Sequence, residues 1–153
     1  MAGFAKAILA SIIVAIIVLM LTNFIFFFPW YLTLIYETFN LSQTAANDNY
    51  VKQVYYDATL DRLKDTPVFS DKANEIEIIA PVGNNNETIY EDYPDWEKPY
   101  KQRGQPINVE INAVYPFRIT VAGKKIERDL PVSFSLTVTG LKYYKDLEYS
   151  SDF

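Results

Sequence analysis

No cysteine and no histidine occur among the 153 residues. The first absence excludes disulfides, thiolate metal sites and a cysteine nucleophile. The second removes the imidazole that serves most general-base chemistry near neutral pH. A zinc site would have to be built from carboxylates alone, against that metal's preference for nitrogen and sulfur. Positive charge is also scarce: 14 basic residues stand against 19 acidic ones, for a net charge of −5. No basic patch of the kind a phosphate backbone requires is visible. Nor is there a glycine-rich phosphate loop, a dinucleotide fingerprint, a nucleophile elbow or a zinc-protease motif. The expectation is a protein that is not an enzyme and has no cofactor, metal, nucleic acid or small-molecule substrate.

Charge is almost missing from the first 36 residues, which carry only Lys6. The stretch between Lys6 and Glu37 is uncharged, longer than the roughly 20 residues that cross a bilayer core. Residues 7–21 are rich in Ile, Val, Ala and Leu, residues 24–36 are aromatic, and Thr22, Asn23 and Pro29 interrupt them. A cleaved secretory signal has a shorter apolar core followed by a small-residue cleavage site. An uncleaved single-pass anchor over 1–36 fits better. Lys6 and the α-amine lie on one flank, and Glu37 and Asp48 precede any lysine on the other. The N-terminus is therefore expected in the cytoplasm and the rest outside the cell. Trp30, Tyr31 and Tyr36 suit the outer membrane interface. Pro29 either marks the membrane exit or forms a hinge for packing in an assembly.

Residues 37–66 read as an amphipathic stalk helix, with Leu41, Ala45, Val51, Tyr55 and Ala58 as its stripe and Val54 and Leu63 near the same face. The stripe is expected to pack on the domain's own sheet. The polar residues 43–49 could hold a break, and Thr66-Pro67 ends the helix. Anchor and stalk would otherwise form one long, kinked rod.

From Glu75 the period changes to two. Ile76 and Ile78 alternate with acids, and Pro81 and Gly83 end that strand. Ile107, Val109, Ile111, Ala113, Tyr115, Phe117, Ile119 and Val121 point one way. After a turn at Gly123-Lys124-Lys125, a return strand from Ile126 carries Val132, Phe134, Leu136 and Val138. Pro116 marks an edge or bulge, Pro131 is a candidate strand break, and residues 141–149 a candidate last strand. The fold class expected is α+β: a long N-terminal helix, transmembrane plus stalk, packed on a small three- to four-stranded antiparallel sheet in a domain spanning 67–153.

Residues 84–105 form a long acidic and aromatic loop. Tyr90, Tyr93, Trp96 and Tyr100 either form a partner-contact surface or fold back to cap the sheet. Glu87, Glu91, Asp92, Asp95 and Glu97 raise two chemistries, a calcium site with the amides of 84–86 or a glycosidase-like acid pair. Neither spacing matches a known loop, so a solvated acidic loop is expected. Asn40 and Asn86 each begin a glycosylation triplet.

An apolar helix leading through a stalk to a small sheet resembles the type IV pilin-like superfamily, in particular small pilin-like and TadE-like proteins of bacterial tight-adherence systems. The residues that carry the likeness are Gly3 and Phe4 ahead of the apolar run, Pro29 within it, and the helix-then-hairpin order. The resemblance implies processing between Gly3 and Phe4. The position where the family carries a glutamate is Ile8 here. It also implies a non-enzymatic structural subunit of a surface filament or of a secretion or conjugation apparatus. The helix would be held by membrane lipid before assembly, then pack with copies of itself or other pilin-like subunits. Ile12, Ile16, Leu19 and Phe26 would be core positions of that assembly, with Pro29 as the bend. The alternative is a single-pass, membrane-anchored extracellular binding or accessory subunit that does not polymerise.

Overall fold

A computed structural model describes residues 2–121 and 123–147. One helix, α1 (Ala2–Asp48), runs for 47 residues, about 70 Å at 1.5 Å per residue. It passes through Pro29 without ending, and it does not break at the expected anchor–stalk boundary near residue 36. It stops at Asn49, whose φ of 62° is left-handed, a conformation that asparagine tolerates better than most residues.

The helix thus breaks at the end of the polar stretch 43–49, and the single rod, the other outcome left open, does not form. After β1 (Val51–Lys52), helix α2 (Gln53–Asp65) folds back along the C-terminal part of α1. Arg62 grips Glu37 with its Nε shared between Oε1 at 3.1 Å and Oε2 at 3.2 Å, and its Nη2 on Oε2 at 2.8 Å. The break resets the helical phase, so Tyr55 and Val54, expected on or near the stripe, are exposed. The core-facing residues of α2 are Tyr56, Thr59, Leu60 and Leu63, at helical spacing. Lys52 gives α2 no side-chain cap; Asn85 Oδ1 accepts from Val54 N at 3.0 Å instead. Thr66-Pro67 ends α2 as expected, and Pro67 opens the short helix α3 (Pro67–Ser70), which carries Phe69 into the core.

The sheet follows in the order β2 (Glu77–Ile79), β4 (Pro106–Val121) and β5 (Lys124–Thr139), all antiparallel. A separate parallel pair joins β1 to β3 (Val82–Gly83). The architecture is thus the α+β class expected, with three antiparallel strands against a long helix. The alternation along β4 holds: Ile107, Val109, Ile111, Ala113 and Tyr115 are all buried. Pro116 is tolerated because β2 pairs only with Glu110–Asn112, leaving β4 open on that side at residue 116. Pro131 does not break β5, which is the sheet's edge strand and has one side free of ladder bonds. At the hairpin turn Gly123 has a φ of 77°, while Lys124 and Lys125 already belong to β5.

Residues 141–147 are not a strand; residues 148 and 149 lie outside the described part. Residues 141–147 dock on the end of α1 instead, with Leu141 N donating to Ala46 O at 2.9 Å. The core lies between α1 and the sheet, closed by α2 and α3. Phe27, Trp30, Leu34, Leu41 and Ala45 supply the helical stripe. Trp30 is 3% exposed and stacks on Phe69 at 4.7 Å. It is a core residue, which corrects its expected place at the membrane interface.

Candidate contact surfaces

Along its N-terminal half α1 is apolar all round. Phe4, Ile12, Ile16, Leu19 and Phe26 are exposed. The few polar side chains turn back on the helix: Ser11, Thr22 and Asn23 donate to the carbonyls of Ala7, Val18 and Leu19 at 2.9 Å. This lowers their cost in an apolar setting. By length and composition α1 is long and apolar enough to cross a membrane, as a span or as a signal anchor. Gly3 and Phe4 lie within its first turns, and nothing packs against Gly3.

Of the five expected assembly residues, Ile12, Ile16, Leu19 and Phe26 lie on one side of α1, at steps of four, three and seven, and Pro29 lies off its edge. Steps of four and three carry Ile12, Ile16 and Leu19 on to Asn23, Phe27 and Trp30, the line that disappears under the sheet. Phe26, seven residues after Leu19, stands at the exposed edge of that line, and Pro29 is rotated out of it. The opposite side bears Leu21, Ile25, Phe28, Leu32, Tyr36 and Phe39, again at steps of three and four, and all six are exposed. Its upper part borders a shallow apolar groove of about 500 Å³ between α1 and β5, lined by Leu32, Ile35, Tyr36, Phe39, Phe134 and Leu136. The sequence hid this face, because residues 24–36 are hydrophobic on every side and show no contrast.

The loop 84–105 divides into an inner and an outer part. Tyr100 is 2% exposed and stacks on Tyr144 with centroids 4.0 Å apart. With Tyr50 they form a second core, and Tyr90 packs half-buried against it. Tyr100 and Tyr90 therefore belong to the protein's interior rather than to a contact surface, and they cap the end of α1 rather than the sheet. Tyr93 and Trp96 remain outside, Trp96 at 82% exposure.

Several of the acids are tied down too. Glu87 pairs with Lys52 at 3.6 Å and with Lys142. Lys98, its side chain buried, pairs with Asp95 at 3.2 Å and Asp146 at 3.0 Å, and Asp146 also accepts from Tyr100 at 2.7 Å. Among the described residues no three acidic side chains are grouped to hold a metal ion. The amides of 84–86 serve the fold: Asn84 Oδ1 accepts from Asn86 N, Asn85 Oδ1 from Val54 N, and Asn86 Oδ1 caps the turn at Thr88 N, while the Asn84 backbone carbonyl accepts from the Tyr50 hydroxyl. Asn86 is exposed, whereas Asn40 sits in the cleft between α1 and α2.

Asn49, which sequence reasoning passed over, ties this end together. It is buried, donates to Lys101 O at 2.8 Å and Lys142 O at 2.6 Å, and accepts from Lys142 N at 2.9 Å.

The second core should give the protein a clear pH response. Burial first, then the carboxylates nearby, push the phenols of Tyr50, Tyr100 and Tyr144 far above their ordinary value. A pKa raised by folding adds stability that is complete below the unfolded value and is lost above it. Stability should therefore fall from about pH 10 upward. At the acid end, burial raises the Asp146 carboxyl, but hydrogen bonds from Tyr100 and Lys98 outweigh it and hold the group below its usual range. That contribution is present above the ordinary carboxylate range and fades as pH drops through the folded value. Tyrosinate absorbance during an alkaline titration checks the first effect. Three phenols should ionise only as the fold is lost; ionisation of all tyrosines in the folded protein near pH 10 would rule out this cluster.

No family model, curated protein or solved structure matches the chain.

Proposed function

We propose that the protein is a non-enzymatic, pilin-like structural subunit, anchored by α1 with its N-terminus in the cytoplasm and its domain outside the cell. It assembles with copies of itself or with similar subunits. The observation that carries this reading is the exposed apolar face of α1 from Leu21 to Phe39. A soluble domain rarely leaves so long an apolar stripe in water, and such patches mark interaction surfaces. This one continues the lipid-facing helix without a break, so one seam can be covered by lipid before assembly and by neighbouring helices afterwards. Contacts of this head-to-tail kind propagate into filaments. Orientation rests on Lys6 at one flank and the acids at the other.

The test compares sheared surface material from cells making the wild type, Ile16→Asp or Leu32→Asp. Ile16→Asp disturbs both insertion and assembly. Leu32→Asp is the cleaner variant, since residue 32 is exposed beside the folded domain. It should leave membrane level and fold intact yet abolish recovery in the sheared fraction. Intact mass of the recovered wild type shows whether the chain begins at Met1 or at Phe4. Filaments of Leu32→Asp at normal abundance would disprove assembly through this face. A wild type that stays wholly with the membrane favours the anchored accessory subunit.

A further inference from the structure

The β4–β5 hairpin does not end where the core ends. Its base is fixed at the top of α1, where Leu141 bonds Ala46. It then descends along the helix. Tyr115 meets Trp30 and Phe27 with centroids 5.0 and 5.1 Å apart. Tyr115, Phe117 and Leu130 next face Met20, Asn23, Phe24 and Phe27 across an almost wholly apolar cleft of about 260 Å³. Beyond Phe117 the strands continue to the pair Val121–Lys124. That is four more residues, about 13 Å at 3.3 Å each.

This places the tip against membrane. The helix between Lys6 and Met20 offers only about 20 Å of apolar length at 1.5 Å per residue, less than a bilayer core of about 30 Å. With Lys6 snorkelling outward, hydrocarbon still has to rise just past Met20, to the level where the hairpin has its last residues to run, and the stems of Lys124, Lys125 and Arg128 carry their charges back toward the headgroups.

The chemistry of the tip matches that position. The parity that buries Tyr115 puts Phe117 and Ile119 on the helix side, and the register sets Leu130, Arg128 and Ile126 opposite Tyr115, Phe117 and Ile119. Ile126 and Leu130 are exposed although they share the face that forms the core further up. The carboxylates of the hairpin end are neutralised: Glu127 pairs with Arg118 at 3.1 Å, and Asp129 with Lys72 at 2.7 Å. Among the described residues Lys124, Lys125 and Arg128 pair with no carboxylate. An apolar strip bordered by unpaired cations on flexible stems is the composition of an interfacial membrane contact.

We propose that the β4–β5 hairpin tip is a second membrane contact, in which Phe117, Ile119, Ile126 and Leu130 enter the headgroup and upper acyl region of the leaflet on the domain's side, while Lys124, Lys125 and Arg128 bind the phosphates of anionic phospholipids. This rests on the reading of α1 as a membrane span, and is independent of polymerisation. The contact holds the sheet at a fixed height and angle on the bilayer, so the stripe from Leu21 to Phe39 is presented in one orientation.

The absence of cysteine makes the test direct. The full chain is reconstituted into phosphatidylcholine vesicles, with or without phosphatidylglycerol. An environment-sensitive fluorophore is placed at Ile126→Cys, at Val14→Cys in the helix, or at Lys101→Cys at the far end of the domain. The label at 126 should be quenched by a shallow spin-labelled lipid and shielded from iodide, while the label at 101 stays open to iodide. Adding Lys124→Glu and Arg128→Glu should reduce the lipid quenching at 126 about fivefold or more in the anionic vesicles. A label at 126 as open to iodide as that at 101, with the label at 14 in hydrocarbon, overturns the proposal and leaves the anchor intact. A label at 14 in water overturns the anchor and the proposal with it. Protection at 126 that follows the protein-to-lipid ratio and not the anionic lipid assigns the tip to a second copy, and overturns it as well.

Discussion

Replacing Asn49 with alanine should destabilise the domain by about 4 kcal/mol. The side chain satisfies two carbonyls and one N–H at a site closed to water. Each buried group left without a partner costs about 1–3 kcal/mol, and alanine at a φ of 62° adds strain. Three further variants separate these causes. Asn49→Gly relieves the backbone but loses all three bonds, so it should recover only the strain, about 1 kcal/mol. Asn49→Asp keeps the acceptor for Lys142 N, yet turns an oxygen toward Lys101 O and Lys142 O; at neutral pH it should be no better than glycine. Gly140→Ala strikes the same spot from outside, since its Cβ would lie 2.7 Å from Asn49 Cγ. Guanidinium unfolding of the full chain in detergent, followed by near-ultraviolet circular dichroism, ranks the four. A loss below about 1 kcal/mol for Asn49→Ala would mean that water replaces the amide, and that Asn49 is no linchpin.

Trp30→Ala should cost about 3–5 kcal/mol, as large-to-small changes of buried aromatics do. The indole is enclosed by Phe27, Phe69 and Tyr115, and no single neighbour can fill the space it leaves. Trp30→Phe is the informative partner. The indole N–H is buried with no hydrogen-bond acceptor among the described residues. Phenylalanine removes that unpaired donor along with some volume, so its loss should stay under about 1.5 kcal/mol. If Trp30 were instead a membrane-interface anchor, both variants would alter insertion depth and leave the domain's unfolding midpoint unchanged. Fluorescence provides a second check: Trp30→Phe leaves Trp96 as the one tryptophan, and emission should shift to that of a ring in water.

How far the sequence reveals this fold depends on contrast. Strands β4 and β5 are legible because apolar and polar residues alternate along them, and the sheet buries one side. The end of α2 is legible because Pro67 constrains the residue before it. The helical stripe through Phe27, Trp30 and Leu34 is not, since every residue around it is apolar as well. The same lack of contrast concealed the exposed face from Leu21 to Phe39. The stripe of α2 was misplaced by its phase: two residues of strand and a left-handed asparagine stand between the helices. The second core was illegible for another reason. Tyr50, Tyr100 and Tyr144 come from three distant parts of the chain, and no periodic signal joins them.

The bond from Asn49 to the backbone of Lys142 spans 93 residues. Translation at about 5–20 residues per second separates the emergence of these two residues by about 5–20 s. Strands β4 and β5 are made within that interval, after α1 has left the ribosome. For those seconds the sheet-facing stripe of α1 has no sheet to cover it. A nascent helix inserted promptly and held low in lipid would shelter Phe27, Trp30 and Leu34 until the hairpin is complete. If α1 spans the membrane as proposed, the Asn49 site closes only once Lys142 arrives, and Phe27, Trp30 and Leu34 exchange lipid for the sheet as the hairpin docks. Slowed insertion should therefore show itself as aggregation of half-made chains.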